Sequence, residues 1–303
     1  MKVLISGASG LVGRMLVRDL SAEGHGVARL VRPGNPASAG DIAWDPATAT
    51  VNPAAMEGAD AMVHLSGASV AEGRWTPERK ALLRRSRIDS TRVMVDALAS
   101  LRQKPRVFVC ASAIGYYGNR GDEILTESSA IGTDFLALLA RDWEAEASRA
   151  EASGIRTVRL RFGVILCDEG GALPQMLLPF RFGLGGRLGN GKQWMSWIGL
   201  EDAVGIISSA IANEQLAGPL NVVAPQPLRN ADFTRIAAAV LHRPAMFTAP
   251  AFALRVALGE MADALLLASQ RVVPERLLAV NYPFRFPEFE STLRAVLNRK
   301  NSN

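Results

Sequence analysis

The sequence predicts an α/β fold: a doubly wound parallel sheet carrying a smaller, mainly helical C-terminal lobe. Three observations predict it. The glycine turn Gly7-Ala8-Ser9-Gly10-Leu11-Val12-Gly13 directly follows the apolar run Val3-Leu4-Ile5 and opens a helical pattern. Short apolar runs then alternate with helical stretches as far as residue 163. Beyond that point the alternation weakens into a glycine-rich segment and a proline-punctuated helical tail.

The candidate strands are Val3–Ser6, Gly26–Val31, Ala61–Leu65, Arg106–Ala111, Thr157–Arg161 and Leu220–Val223. Most are near-continuous apolar runs, as expected of strands buried on both faces of a parallel sheet. Helices are expected over Leu11–Glu23, Pro77–Leu101, Thr133–Ser153 and Asp202–Asn213. Thr76 and Pro77 form an N-cap and first-turn pair. Gly154 stands where a C-terminal glycine ends a helix. Glu201-Asp202 reads as a capping pair. This order is that of a Rossmann-type fold. Residues 1–163 and 201–224 form the expected dinucleotide-binding domain. Residues 164–200 and 225–303 form the expected substrate lobe over the carboxyl ends of the strands.

Composition narrows the class. Of the 303 residues, 49% are hydrophobic and 21% charged, which is ordinary for a globular enzyme. The net charge of +5 raises the question of nucleic acid, but the arginines are scattered. The densest run, Arg84, Arg85 and Arg87, falls on a predicted helix and reads as a solvated face. The two cysteines, Cys110 and Cys167, form no disulfide framework, and His25, His64 and His242 show no metal-binding spacing. The first strand starts at residue 2, so no signal peptide is expected and the cytoplasm follows by default. The apolar stretch Ala251 to Ala268 contains Arg255, Glu260 and Asp263, and reads as an amphipathic helix, not a membrane span.

The glycine turn carries the chemistry. A strand, a glycine turn and a helix N-terminus together place free backbone N–H groups and the positive helix end toward a diphosphate. Gly7, Gly10 and Gly13 allow the tight turn and close approach, and Ser9, Leu11 and Val12 complete the cradle. After the second strand stands Arg32, with no Asp or Glu at that place. A guanidinium there suits the 2′-phosphate of NADP, whereas NAD presents a 2′-hydroxyl to an acidic residue. His64-Leu65-Ser66-Gly67-Ala68 follows the third strand, and its small residues let a cofactor pass close to backbone. His64 reads as wall, not as acid or base.

These segments resemble the extended short-chain dehydrogenase/reductase superfamily of NAD(P)-dependent epimerase/dehydratase type. The likeness extends to a subgroup called epimerase family proteins, whose C-terminal domain has no assigned function. It rests on the glycine turn, Trp44-Asp45-Pro46, His64-Leu65-Ser66-Gly67-Ala68 and Arg74-Trp75-Thr76. It continues through Ser86-Arg87-Ile88, Ser112-Ala113-Ile114-Gly115-Tyr116-Tyr117-Gly118, Gly189 to Ile198, Pro244, Gly259-Glu260 and Arg271 to Arg276. Gly199 departs from the subgroup, which usually has histidine there.

The resemblance implies a catalytic tyrosine with a lysine four residues later, the cation favouring the phenolate. Among the three tyrosines, Tyr116 precedes Arg120, Tyr117 precedes Gly121 and Tyr282 precedes Phe286. None fits. Alignment puts Phe135 and Leu139 at the tyrosine and lysine positions and Arg87 at the supporting asparagine. Of the usual set only Ser112 remains. Tyr116, Tyr117 and Arg87 are the replacement candidates. Arginine is a poor base, with a pKa above about 12, but it can hold an anion or polarise a carbonyl. Trp194, Ser196 and Trp197, in the glycine-rich segment, either close a substrate pocket with Tyr117 or anchor a loop to the core.

Three readings follow: an atypical NADP-dependent oxidoreductase or epimerase acting on a small molecule, a non-catalytic NADP(H) sensor or scaffold, and a nucleic-acid binder. The third lacks any recognition motif. Monomer and homodimer both stay open. The helices through which relatives pair correspond to 77–101 and 133–153, and here they carry Arg84, Arg85, Arg141 and Asp142.

Overall fold

The computed structural model describes residues 1–34, 38 and 40–298. In chain order its first part runs β1 (Lys2–Ser6), α1 (Leu11–Ala22), β2 (Gly26–Val31), β3 (Ile42–Asp45), β4 (Thr50–Val51), β5 (Ala61–His64), α2 (Pro77–Arg84), α3 (Ser90–Ser100), β6 (Val107–Ala113) and β7 (Ile124–Leu125). The middle comprises α4 (Phe135–Ser148), β8 (Arg156–Phe162), β9 (Val164–Leu166), α5 (Ala172–Arg181), β10 (Gly186–Leu188), β11 (Trp194–Met195), β12 (Trp197–Gly199), α6 (Leu200–Ala212) and β13 (Gly218–Val222). The last part comprises β14 (Leu228–Arg229), α7 (Asn230–Leu241), β15 (Phe247–Ala249), α8 (Ala251–Leu258), β16 (Arg271–Val272), α9 (Glu275–Ala279) and α10 (Phe289–Asn298).

Among the described residues the main sheet has eight strands in the order β13-β8-β6-β5-β1-β2-β3-β4. All neighbours are parallel except β4, which turns back along β3. Strand order reverses between β1 and β5, and such a switch point opens a crevice at the carboxyl ends of the strands. Side-chain alternation sends Val3 and Ile5 to one face and Leu4 to the other. The first face packs against α1 and α6, the second against α3 and α4. All six predicted strands form. The sheet adds β3 and β4, which the sequence reading lacks.

The expected helix over 77–101 is interrupted. Arg85–Asp89 forms one π-helical turn between α2 and α3, with Thr76 capping Arg79 N at its start. Such bulges widen a helix to re-aim a side chain and are frequent at functional sites. Gly154, at φ +77°, ends the helical stretch begun by α4, as expected. Asp202 does not cap its own helix. Its buried carboxylate accepts from the backbone N–H groups of Arg285 and Phe286, both at 2.8 Å, and so ties the tail to α6. The stretch 251–268 is not one helix: α8 ends at Gly259 (φ +63°) and a π-helical turn covers Ala262–Leu267. No helix among the described residues is long and apolar enough to cross a membrane.

Candidate functional site

The loops after β1 and β5 meet at the switch point. Leu65 N donates to Ser6 O at 3.1 Å, and Gly10 N donates to Gly7 O at 3.0 Å. Gly7 adopts φ +72°, and a Cβ there would lie 2.8–2.9 Å from the backbone of Leu65 and Ser66. A Cβ on Gly13 would lie 2.3 Å from Gly7 O. Only glycine allows this closeness. Gly10 is the N-cap of α1, which has no side-chain cap and no acidic residue in its first turn. Its first amides therefore stay free for an outside acceptor, with the positive helix end behind them. Ser9 and Gly10 are exposed, Leu11 and Val12 half-buried. This donor set fits a diphosphate. Arg32 is exposed just past the carboxyl end of β2.

His64 does not line this crevice. It is fully buried at the end of β5, with Nδ1 2.6 Å from Ser6 Oγ and Nε2 3.3 Å from Ser90 Oγ, and Trp44 packs edge-on against its ring. Burial pushes its pKa down to about 3, so the ring stays neutral. Leu65 to Ala68, just beyond it, are the part of that motif that reaches the surface.

Arg87 projects from the π-helical turn under this loop. Nη2 donates to Ala68 O at 2.9 Å, the guanidinium lies 5.3 Å from the Trp143 ring centroid, and a Cβ on Gly67 would lie 3.4–3.6 Å from it. It has no carboxylate partner among the described residues. Burial, and secondarily the nearby Arg79, lower its pKa to about 10, so it remains a cation at neutral pH.

Beyond β6, Ser112 is buried and donates to Glu144 Oε1 at 2.7 Å. The same carboxylate takes Arg161 bidentately, through Nε and Nη2, both at 2.8 Å. Arg161 Nη1 donates to Tyr117 OH at 2.9 Å, and that hydroxyl donates to Asn221 Oδ1 at 2.7 Å. Tyr117 is therefore an interior residue, its pKa pushed up to about 12 mainly by burial, and it cannot touch a substrate. Tyr116 differs. Its ring lies on the Arg161 guanidinium at 3.5 Å, is half-buried, and its hydroxyl has no partner among the described residues. Sequence reading missed Glu144 and Arg161, because a charged pair inside a core leaves no local pattern.

The glycine-rich segment resolves toward anchoring. Trp197 has no exposed surface and donates through Nε1 to Gln226 O at 2.9 Å. Ser196 is buried, donates to Gln270 O at 2.8 Å and accepts from Val272 N at 2.9 Å. Gln193 is buried too, donating to the Leu188 and Leu266 carbonyls. Trp194 is half-buried, but Arg229 and Arg271 each lie 4.5 Å from its ring centroid and its N–H goes to Asp122. Expected as substrate contacts, Ser196 and Trp197 instead tie down the backbone at Gln270, Val272 and Gln226, and Trp194 is tied up by its own neighbours. At the aligned tyrosine and lysine positions, Phe135 packs edge-on to Trp75 at 5.3 Å and Leu139 is buried in the core. No group of three or more potential metal ligands occurs among the described residues.

Against this geometry, the profile of the NAD dependent epimerase/dehydratase family matches residues 3–223. The chain belongs to that family. A domain of unknown function (DUF1731) matches residues 249–296. An epimerase family protein of Mycobacterium leprae is 40% identical over 301 residues, covering 99% of this chain and 97% of the relative. Human epimerase family protein SDR39U1 (isoform 2), whose structure was determined with NADPH, superposes with a TM-score of 0.90 at 34% identity, covering 98% of this chain and 99% of that one. A nucleoside-diphosphate sugar epimerase from Corynebacterium glutamicum superposes with a TM-score of 0.82 at 35% identity, covering 99% of this chain and 58% of that one. For a member of this family, the apolar pair Phe135 and Leu139 is the feature that sets the chemistry question.

Proposed function

We propose that the chain binds NADP(H) and uses it in oxidoreductase or epimerase chemistry on a small substrate, a carbonyl compound or a sugar nucleotide, with Tyr116 exchanging the proton. The glycine cradle carries the reading: two Cβ positions are closed by backbone, and an uncapped helix start lies beside them. The NADPH in the human relative supports the same cofactor here. The nicotinamide supplies hydride donor or acceptor chemistry when bound.

The chain's own residues supply the rest. The first amides of α1 take the diphosphate. Arg32 takes the 2′-phosphate, with bidentate geometry and full charge. Leu65, Ser66 and Gly67 border the cofactor's path. Tyr116 offers an unpartnered phenol on a guanidinium platform, the type of group that a carbonyl reduction or epimerisation requires. Arg87, a cation without a carboxylate, holds an anionic substrate group or polarises a carbonyl.

A non-catalytic NADP(H) sensor or scaffold is the second reading. It is favoured by the apolar side chains at positions 135 and 139. Two measurements separate the readings. NADPH raises the melting temperature more than NADH does, and Arg32→Glu reverses that preference, weakening NADPH binding about tenfold or more. NADPH consumption across a carbonyl and nucleotide-sugar panel, lost in Tyr116→Phe, supports catalysis. Saturable binding without turnover on the panel selects the sensor reading, and no saturable binding overturns both.

A further inference from the structure

The segment from β15 through α8 joins parts of the molecule that lie far apart in sequence. At its start, β15 pairs with β10, and Gly189 N donates to Ala249 O at 2.8 Å. At its far end, Arg74 Nη2 donates to the Val256 carbonyl at 2.6 Å. Lys80 Nζ meets Glu260 Oε2 at 2.5 Å. Among the described residues these two contacts are the polar links between segment 249–267 and the α2 region. Lys80 Nζ also lies 4.9 Å from the ring centroid of Phe135, which packs against Trp75. Residues 65–76 leave the carboxyl end of β5, and Phe135 opens the helix that follows β6. The bridge therefore joins the β10–β15 pair to the loop that follows β5 and to α2, beside the N-terminal end of α4.

Little apolar packing holds α8 itself, whereas Met261 and Ala262 just after it are buried. None of the eight residues of α8 is buried, and Phe252 and Val256 are 70% and 75% exposed. A helix of two turns has almost no stability of its own. An exposed ion pair adds little. Arg255 grips Asp263 through Nε and Nη2, which ties the helix to the following turn. Pro250 and Gly259, with φ +63°, mark the two ends of the helix. A helix without buried residues, held at its far end by two polar latches, is the physical signature of an element that opens locally while the buried Met261 and Ala262 anchor the turn behind it.

We propose that residues 249–260 are a clasp on the loop that follows β5 and borders the crevice, latched to the dinucleotide-binding half by Arg74 and Lys80, which opens to pass ligand and closes on it. This assigns a role to the start of the domain of unknown function. Its ligand rests on the NADP(H) reading, whereas the latch does not.

Hydrogen exchange of the full-length protein and stopped-flow NADPH fluorescence test it together. Glu260→Lys places two cations face to face and is expected to raise amide exchange over 251–258 about fivefold. NADPH release accelerates by a similar factor. The swapped pair, Lys80→Glu with Glu260→Lys, restores both. Unchanged exchange in the single variant overturns the proposal, as does a swap that restores nothing. Faster exchange with unaltered NADPH release also overturns it, because the segment would then move without gating ligand. Absence of saturable NADPH fluorescence in the unaltered protein is a separate failure, that of the cofactor reading.

Discussion

His64 sets a pH limit on the whole chain. In the folded state its pKa is about 3, because burial disfavours the charged ring, while an unfolded histidine titrates near 6.5. The depressed value means that acid favours the unfolded chain. The neutral ring's contribution is complete above about pH 6.5 and declines as pH falls toward 3, with a slope of about 1.4 kcal/mol per pH unit. Urea unfolding at pH 7, 6, 5 and 4 should therefore steepen below pH 6 in the native sequence. His64→Asn, which keeps a polar group beside Ser6 and Ser90, should lose about one proton's worth of that slope. Equal slopes in the two proteins would remove His64 from the acid response. The residue also illustrates what sequence conveys at this scale. The glycines of the turn are legible because a Cβ has no room there. The position of His64 at a strand end is legible as well. Its orientation into the core depends on Trp44 and Ser90, which are distant in sequence, so a wall of the cofactor site was the natural but incorrect reading.

Elements buried on both faces announce themselves as apolar runs, which is why β1, β5 and β6 were legible. β3 was not: Ile42 and Trp44 are buried while Ala43 is exposed, so it shows only a short alternation followed by Asp45 and Pro46. The π-helical turn at Arg85–Asp89 was equally hidden, since the same residues suit an unbroken helix. The connection between β7 and α4 holds a titratable group with consequences for stability. Glu127 is buried, its Oε1 accepts from Asn221 N at 3.0 Å, and its Oε2 has no partner among the described residues. Burial raises its pKa despite the backbone hydrogen bonds. A carboxyl group raised in the folded state weakens folding once pH exceeds its unfolded value, because the unfolded chain ionises more readily. Glu127→Gln keeps the acceptor and removes the charge. Relative to the native sequence, it should gain stability between pH 4 and pH 7, read from paired urea midpoints. A constant difference across that range would show that Glu127 ionises freely in place.

At the scale of the whole molecule, the N-terminal strands and the C-terminal stretch share one interior. The core cluster that contains Val3, Ile5 and Leu16 also contains Trp197, Phe233, Leu277, Phe289, Leu293 and Val296. Trp197 meets Phe289 edge-on with ring centroids 5.2 Å apart. Asp202 holds the backbone of Arg285 and Phe286, and Asn221, at the sheet edge, donates to Val273 O at 2.9 Å. Each fully buried Leu, Phe or Val contributes about 1.5–3 kcal/mol, so the five apolar residues from Phe233 to Val296 contribute on the order of 10 kcal/mol. That matches the entire net stability of a typical domain, about 5–15 kcal/mol. The C-terminal tail therefore cannot act as an independent appendage. The full chain should unfold in one cooperative step, with tryptophan fluorescence and far-ultraviolet circular dichroism giving coincident urea curves. A fragment ending at Ala224 should lack a cooperative transition. Its exposed α6 and β13 faces would be expected to bind a hydrophobic dye. Two separated transitions in the full chain, or a fragment that melts cooperatively near the parent temperature, would mean that the shared core is not what holds the C-terminal stretch to the rest.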